Sequence, residues 1–220
     1  MPRRPLMPHT ELLASGVPCS WLDDPAARFR SVYERLTAVI PRSPVPGPAD
    51  AGSPPPGLRT ALGGLAGSTL GHGLYRLHTE SSAAAADLLV GAAYPDFEGR
   101  IACFGMDWLG RQFSLDASRG ASGDPEVLLF DVGAGEALEI PTAFSAFHDT
   151  ELVDYTDAAL ASEFFEQWLR EHPEPIHFDQ CVGYKVPLFL GGADQLGNLS
   201  GTDVDVYWTL TGQLRVAALG

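Results

Sequence analysis

Two stretches constrain this chain more than any other: Phe104–Asp116 (FGMDWLGRQFSLD) and Cys181–Gly192 (CVGYKVPLFLGG). Gly105 and Gly110 punctuate the first, and Gly183, Pro187, Gly191 and Gly192 the second. Gly and Pro at these intervals break helices. The aromatic and β-branched residues between them suit a pleated, half-buried surface. The two stretches therefore read as strands joined by turns, with Phe104, Trp108, Phe113, Tyr184, Leu188, Phe189 and Trp208 as core fillers. Asp107 is placed to cap its own turn, and Arg111 to pair with Asp107 or Asp116.

The rest of the chain supplies helices around these strands. Asp24 and Pro25 start a helix with Phe29, Val32, Tyr33, Leu36 and Ile40 at helical spacing. Prolines 41, 44, 46, 48, 54, 55 and 56 follow, making an extended linker. The reading divides the chain into a leader, helix and Pro-rich linker over 1–57 and a folded domain over 58–220. Leu74–His78 reads as a short strand, and Ser81 or Ser82 as the cap of an alanine-rich helix ending at Ala92. Arg100–Phe104 and Arg111–Leu115 form a hairpin. Glu126–Val132 is expected as a central strand and Ala137–Ile140 as its return, ended by Pro141. Thr142 is expected to cap a short helix bearing Phe144 and Phe147. Ala158–Glu171 reads as one amphipathic helix with Leu160, Phe164, Phe165 and Trp168 inward, stopped by Pro173 and Pro175. Tyr184–Leu190 is expected to be extended. Asp203–Leu210 alternates like a strand, and Gly212–Ala218 reads as a final helix. Helices flanking strands that return in hairpins define an α+β class with a mostly antiparallel sheet.

Charge is distributed unevenly. Residues 1–120 carry 11 acidic and 11 basic side chains, whereas residues 121–220 carry 17 acidic and 3 basic ones. The formal charge of −14 therefore resides in the C-terminal hundred residues. Such a surface repels phosphates and disfavours nucleic acid, and it accelerates encounter with a basic partner. Solubility alone also accounts for an acidic surface. Cys19, Cys103 and Cys181 form no CxxC and are expected as buried thiols in a reducing compartment. No run of apolar residues is long enough to span a membrane, and no apolar stretch follows Arg3 and Arg4 as a secretion signal requires. The expected location is cytoplasmic.

Candidate chemistry is sparse. Asp107, Asp116, His148, Asp149 and Glu151 are the possible metal ligands, but their spacing fits no ligand motif. There is no Gly-x-Ser-x-Gly nucleophile elbow and no phosphate loop among Gly63, Gly64, Gly67, Gly71 and Gly73. No cofactor or metal is expected. Carboxylates are so numerous that no acid–base pair stands out.

The two opening stretches, with Asn198-Leu199 and Asp205–Trp208, resemble the C-terminal domain family of type VI secretion DNase-immunity proteins, which is similar to the wider SUKH group of immunity proteins. GLYRLH (Gly73–His78), YPDF (Tyr94–Phe97), GEALEIP (Gly135–Pro141), FEQW (Phe165–Trp168) and GQL (Gly212–Leu214) extend the resemblance over about Leu70–Leu214. Met106 stands where an aromatic residue is common in the family and Ser114 where Ala is common, and residues 1–57 do not look like the larger N-terminal module that members often carry. The resemblance implies a SUKH-like immunity fold without enzymatic activity, and a cognate toxin as partner. It also implies that Phe104, Asp107, Trp108, Gly110, Arg111, Gly183, Pro187, Gly191 and Trp208 specify the fold, while the partner site lies elsewhere.

Charge density points to that site. Asp149, Glu151, Asp154 and Asp157 fall between two expected helices, and Glu163 and Glu166 continue on the outer face of the second. This strip is expected to meet Lys and Arg of a basic, nuclease-type toxin, with Tyr155 or Phe178 as aromatic anchors. Two other readings stand beside it: a regulatory or scaffolding module without a toxin, and a small hydrolase using clustered carboxylates. The sequence leaves the oligomeric state open.

Overall fold

The computed structural model describes residues 66–121 and 124–220. The expected leader, 25–40 helix and proline-rich linker lie outside them, as does the division at residue 57.

Six strands form one antiparallel sheet in chain order: β1 (Thr69–Leu70), β2 (Tyr75–Leu77), β3 (Ile101–Asp107), β4 (Gln112–Ala121), β5 (Asp124–Asp131) and β6 (Glu136–Ala143). A second, two-stranded antiparallel sheet pairs β7 (Gln180–Tyr184) with β8 (Leu199–Asp203). The longer helices are α1 (Glu80–Ala93), α2 (Thr156–Leu160), α3 (Ser162–Glu171) and α4 (Val204–Leu219). The α+β class with a mostly antiparallel sheet flanked by helices is as the sequence indicates.

Both faces of the large sheet are covered, which explains the unbroken apolar run in β5. Val127 and Leu129 point into one cluster with Phe104, Phe113, Phe147, Leu160 and Phe165. Leu128 and Phe130 point into the other, against Val90 and Ala93 of α1 and Tyr207 and Trp208 of α4. β5 is not central, as expected, but second from the edge.

Several expected boundaries move. Thr79, not Ser81 or Ser82, caps α1: its hydroxyl accepts the Ser82 amide at 3.2 Å while the Ser82 hydroxyl accepts the Thr79 amide at 2.9 Å. Pro141 does not end β6. Val127 pairs with Ile140 and Glu126 with Ala143, so Pro141 and Thr142 form a bulge on an edge strand, where a missing N–H costs little. Thr142 caps no helix, because its hydroxyl donates to Glu151 instead. Beyond Tyr184 the chain does not stay extended, and Leu188–Leu190 is a 3-10 turn.

The largest correction concerns Asp203–Leu210. These residues are not a strand; from Val204 onward they are the first half of α4. The buried positions are Tyr207, Trp208, Thr211 and Gly212, a helical face. Tertiary packing overrides the local alternation of Val204, Val206 and Trp208, and Val206 stays 44% exposed. A Cβ at Gly212 would lie 2.9 Å from that of Ala93, so glycine lets α4 approach α1.

Candidate partner-binding groove

The turn Asp107–Arg111 organises the site. Asp107 is fully buried, and its carboxylate accepts the amides of Leu109 at 3.0 Å and Arg111 at 2.9 Å. The Arg111 guanidinium completes a buried ion pair with Asp107 at 2.5 Å. Asp116 is taken instead by Arg100, at 2.6 Å. Gly110 has φ 76°, a left-handed conformation suited to glycine.

This turn breaks the helix expected over Ala158–Glu171. The Trp108 indole donates to the Leu160 carbonyl at 2.9 Å, and Arg111 donates to the Ala159 carbonyl at 3.0 Å. Those are carbonyls that a helix end leaves without partners. The chain reverses at Ala161, φ 52°, and α3 begins. The Asp157 carboxylate then accepts the Glu163 amide at 2.7 Å and the Ser162 hydroxyl at 3.1 Å, satisfying donors at the start of α3. From the opposite side the Trp208 indole donates to Gly110 O at 2.7 Å, and Val182 N to Trp108 O at 2.8 Å. Gly183 lies against the Tyr207 ring with no room for a Cβ. Phe104 and Trp108 are fully buried, Pro187 is buried, and Gly191 has φ 88°. Trp108, Gly110, Arg111 and Trp208 thus meet in one packed hub around Asp107, whereas Gly191 is exposed with open space beside it.

Leu109 and Arg111 of this turn help to line a groove of about 770 Å³ between the β5–β6 face, the α2–α3 break and the loop after β7. Leu109, Leu129, Leu138, Ile140, Phe164 and Tyr184 supply apolar surface, and Glu136, Glu151, Asp157, Glu163 and Asp194 supply carboxylates. Arg111 is the one cationic side chain in the described lining, and Asp107 holds it.

The expected acidic strip is therefore divided. Asp157 and Glu163 are exposed and border the groove, while Asp154 and Glu166 are exposed away from its lining. Asp149 is half-buried. Glu151 is not a surface residue of the strip but is 7% exposed. A π-helical turn over Phe147–Glu151 changes the register, so that Phe147, His148 and Glu151 all turn inward. Burial raises the Glu151 carboxyl above its usual range; the Thr142 hydroxyl opposes this and Asp154 adds to it. Of the expected anchors, Tyr155 is 41% exposed, whereas Phe178 is half-buried and packs edge-on against His78. Neither lines the groove. Sequence reasoning missed Glu136 and Asp194, which lie far from the strip in sequence. The Tyr184 hydroxyl donates to Asp194 at 2.6 Å, and that bond carries the loop to the groove.

The residues weighed as metal ligands do not converge. Asp107 and Asp116 are ion-paired, and His148 is buried among Phe104, Phe144 and Phe147 with the Tyr75 hydroxyl 3.0 Å from Nε2. Among the described residues no group of three or more His, Cys, Asp or Glu side chains is arranged to hold a metal. Cys103 and Cys181 are buried, and burial pushes their thiols up, Cys181 to about 12, away from a reactive thiolate. No helix among the described residues is long and apolar enough to cross a membrane.

Residues 143–215 match the family model described as "T6SS immunity protein Tdi1, C-terminal". That match covers about a third of the chain, which over those residues is similar to the C-terminal domain of a type VI secretion immunity family. No curated protein matches the chain significantly. Among solved structures it is similar to Atu4351 from Agrobacterium tumefaciens, at 14% identity, with 82% of this chain and 88% of that chain covered and a TM-score of 0.56. At that identity the likeness is one of fold.

Proposed function

We propose that the chain is a non-enzymatic, cytoplasmic immunity protein that binds and neutralises a cognate toxin, a basic nuclease delivered by type VI or related interbacterial secretion. The observation that carries this reading is the groove. Four of its five carboxylates, Glu151, Asp157, Glu163 and Asp194, lie in the segment that matches the immunity family. An apolar floor under a carboxylate rim suits a Lys or Arg side chain, whose methylene stem packs while its head pairs. The excess of 17 acids over 3 bases in residues 121–220 adds long-range attraction for such a partner. Co-expression with the toxin encoded in the neighbouring reading frame tests the proposal. Protection of the cells, with a stoichiometric complex recovered on purification, is expected. Failure to protect, with no complex formed, contradicts it.

A carboxylate hydrolase has one observation in its favour, the raised Glu151 carboxyl inside a concavity. Two of the other groove acids are held by the fold: Asp157 caps α3 and Asp194 accepts the Tyr184 hydroxyl. Protection from toxin that survives Glu151→Gln favours binding over chemistry.

A further inference from the structure

β6 supplies one wall of the groove and is also an edge of the six-stranded sheet. Its inner side pairs with β5. In an antiparallel pair the N–H and C=O of every second residue point away from the partner strand. Over 137–140 no backbone group other than those of β5 bonds to β6 among the described residues. The open part has closed ends. Glu136 O accepts the Tyr94 hydroxyl at 3.0 Å, and the bulge at Pro141 and Thr142 stops the ladder at the other end. Prolines and bulges of this kind limit what an edge can pair with. They leave an accessible run of about four residues, roughly 14 Å. The side chains of β6 alternate about that run. Glu136, Leu138 and Ile140 face the groove, whereas Ala137 packs in the cluster under α1 and α4. A strand laid along this edge continues the same face about 4.8 Å further out, so its alternate side chains open onto the groove.

We propose that the partner enters the groove as an extended segment that adds a short strand to the edge of β6, with alternate side chains, Lys or Arg among them, turned into the groove. The inference rests on the reading of the groove as the toxin-binding site and names its mode of recognition. Backbone bonds of an added strand supply affinity, and the pockets for alternate side chains supply specificity. Charge selects a basic occupant: five carboxylates line the groove, and its one described cation, Arg111, is paired with Asp107. A second copy paired β6 to β6 brings a second acidic groove to the first, and like charges repel. A helix seated in the groove excludes water from the β6 edge without pairing it, and buried backbone groups left unpaired are costly.

Residue-resolved amide exchange and isotope-filtered NMR test this on the full chain, free and in complex with the unlabelled toxin of the neighbouring reading frame. In the free chain alternate amides over 137–140 are expected to exchange fast, at any protein concentration. In the complex those amides slow at least tenfold, and the backbone protons of Ala137–Ile140 show contacts to toxin Hα protons, as paired strands do. A complex whose contacts to the toxin come from groove side chains alone overturns strand addition and leaves the immunity reading standing. Alternate amides already protected in the free chain overturn it too: protection that fades on dilution assigns the edge to a second copy, and protection that persists assigns it to the chain itself. Failure to form any complex overturns the immunity reading and this inference with it.

Discussion

The carboxylate of Asp157 accepts the backbone N–H of Glu163 at 2.7 Å, across the left-handed Ala161 that separates α2 from α3. One residue thus serves both fold and surface: it caps a helix and contributes charge to the groove. The two roles separate by substitution. Asp157→Ala removes the cap and costs about 1 kcal/mol of stability. Asp157→Asn keeps an acceptor for the amide, so it melts close to the parent chain but associates more slowly with a basic partner. Thermal denaturation of both variants, with stopped-flow association, checks this.

The Asp107–Arg111 pair lies under the groove, and Arg111 also holds the Ala159 carbonyl. Removing one partner of a buried pair leaves an uncompensated charge, so Arg111→Ala is expected to cost about 3–5 kcal/mol. Because Arg111 donates to the Ala159 carbonyl, the same variant loosens the α2–α3 break. Urea denaturation gives the cost directly, and hydrogen exchange at residues 156–165 reports the loosening.

Acid destabilises this protein through two histidines. Burial lowers His148, beside Tyr75, to about 3. Burial, aided by the Arg76 charge and opposed by the Gln112 bond, lowers His78 to about 4. Unfolded histidine titrates near 6.5, so between that pH and the folded values the unfolded chain binds more protons. Stability is therefore complete above about pH 6.5 and falls as pH drops toward 4, each histidine contributing about 2 kcal/mol of loss by pH 5. Glu151, whose folded carboxyl is raised, acts in the opposite sense, stabilising the fold on acidification through its own titration range. Melting temperatures from pH 7.5 to 4.5 check the sum, and His148→Phe flattens the profile.

Trp208 reaches Gly110 O across 98 positions of sequence at 2.7 Å. Trp208→Phe leaves that buried carbonyl without its donor and is expected to cost about 1–3 kcal/mol, with the fold retained in circular dichroism.

The sequence made the strands around the hub legible, because Gly110, Gly183 and the aromatics between them carry their constraint locally. It misled at α4, where Val204, Val206 and Trp208 alternate by coincidence while helix packing on Ala93 decides the outcome. It misled again at Glu151, where one π turn moves a carboxylate inward, a shift that depends on the Phe147 and His148 side chains finding room in the core. The helix expected over 158–171 gives no local sign of breaking; its ends are dictated by Trp108 and Arg111, some fifty residues earlier. The groove was half visible, since Asp157 and Glu163 sit in the acidic strip. Glu136 and Asp194 join it only through the sheet edge and the Tyr184 hydroxyl.

On the proposed reading, a basic toxin docks in the carboxylate-lined groove. Binding of the neighbouring-gene toxin to the parent chain and to Asp157→Asn/Glu163→Gln, across a salt series, tests it most directly. A stoichiometric complex is expected, with an affinity that falls with salt and at least tenfold slower association for the variant. Equal affinity and equal salt dependence for both proteins would contradict it.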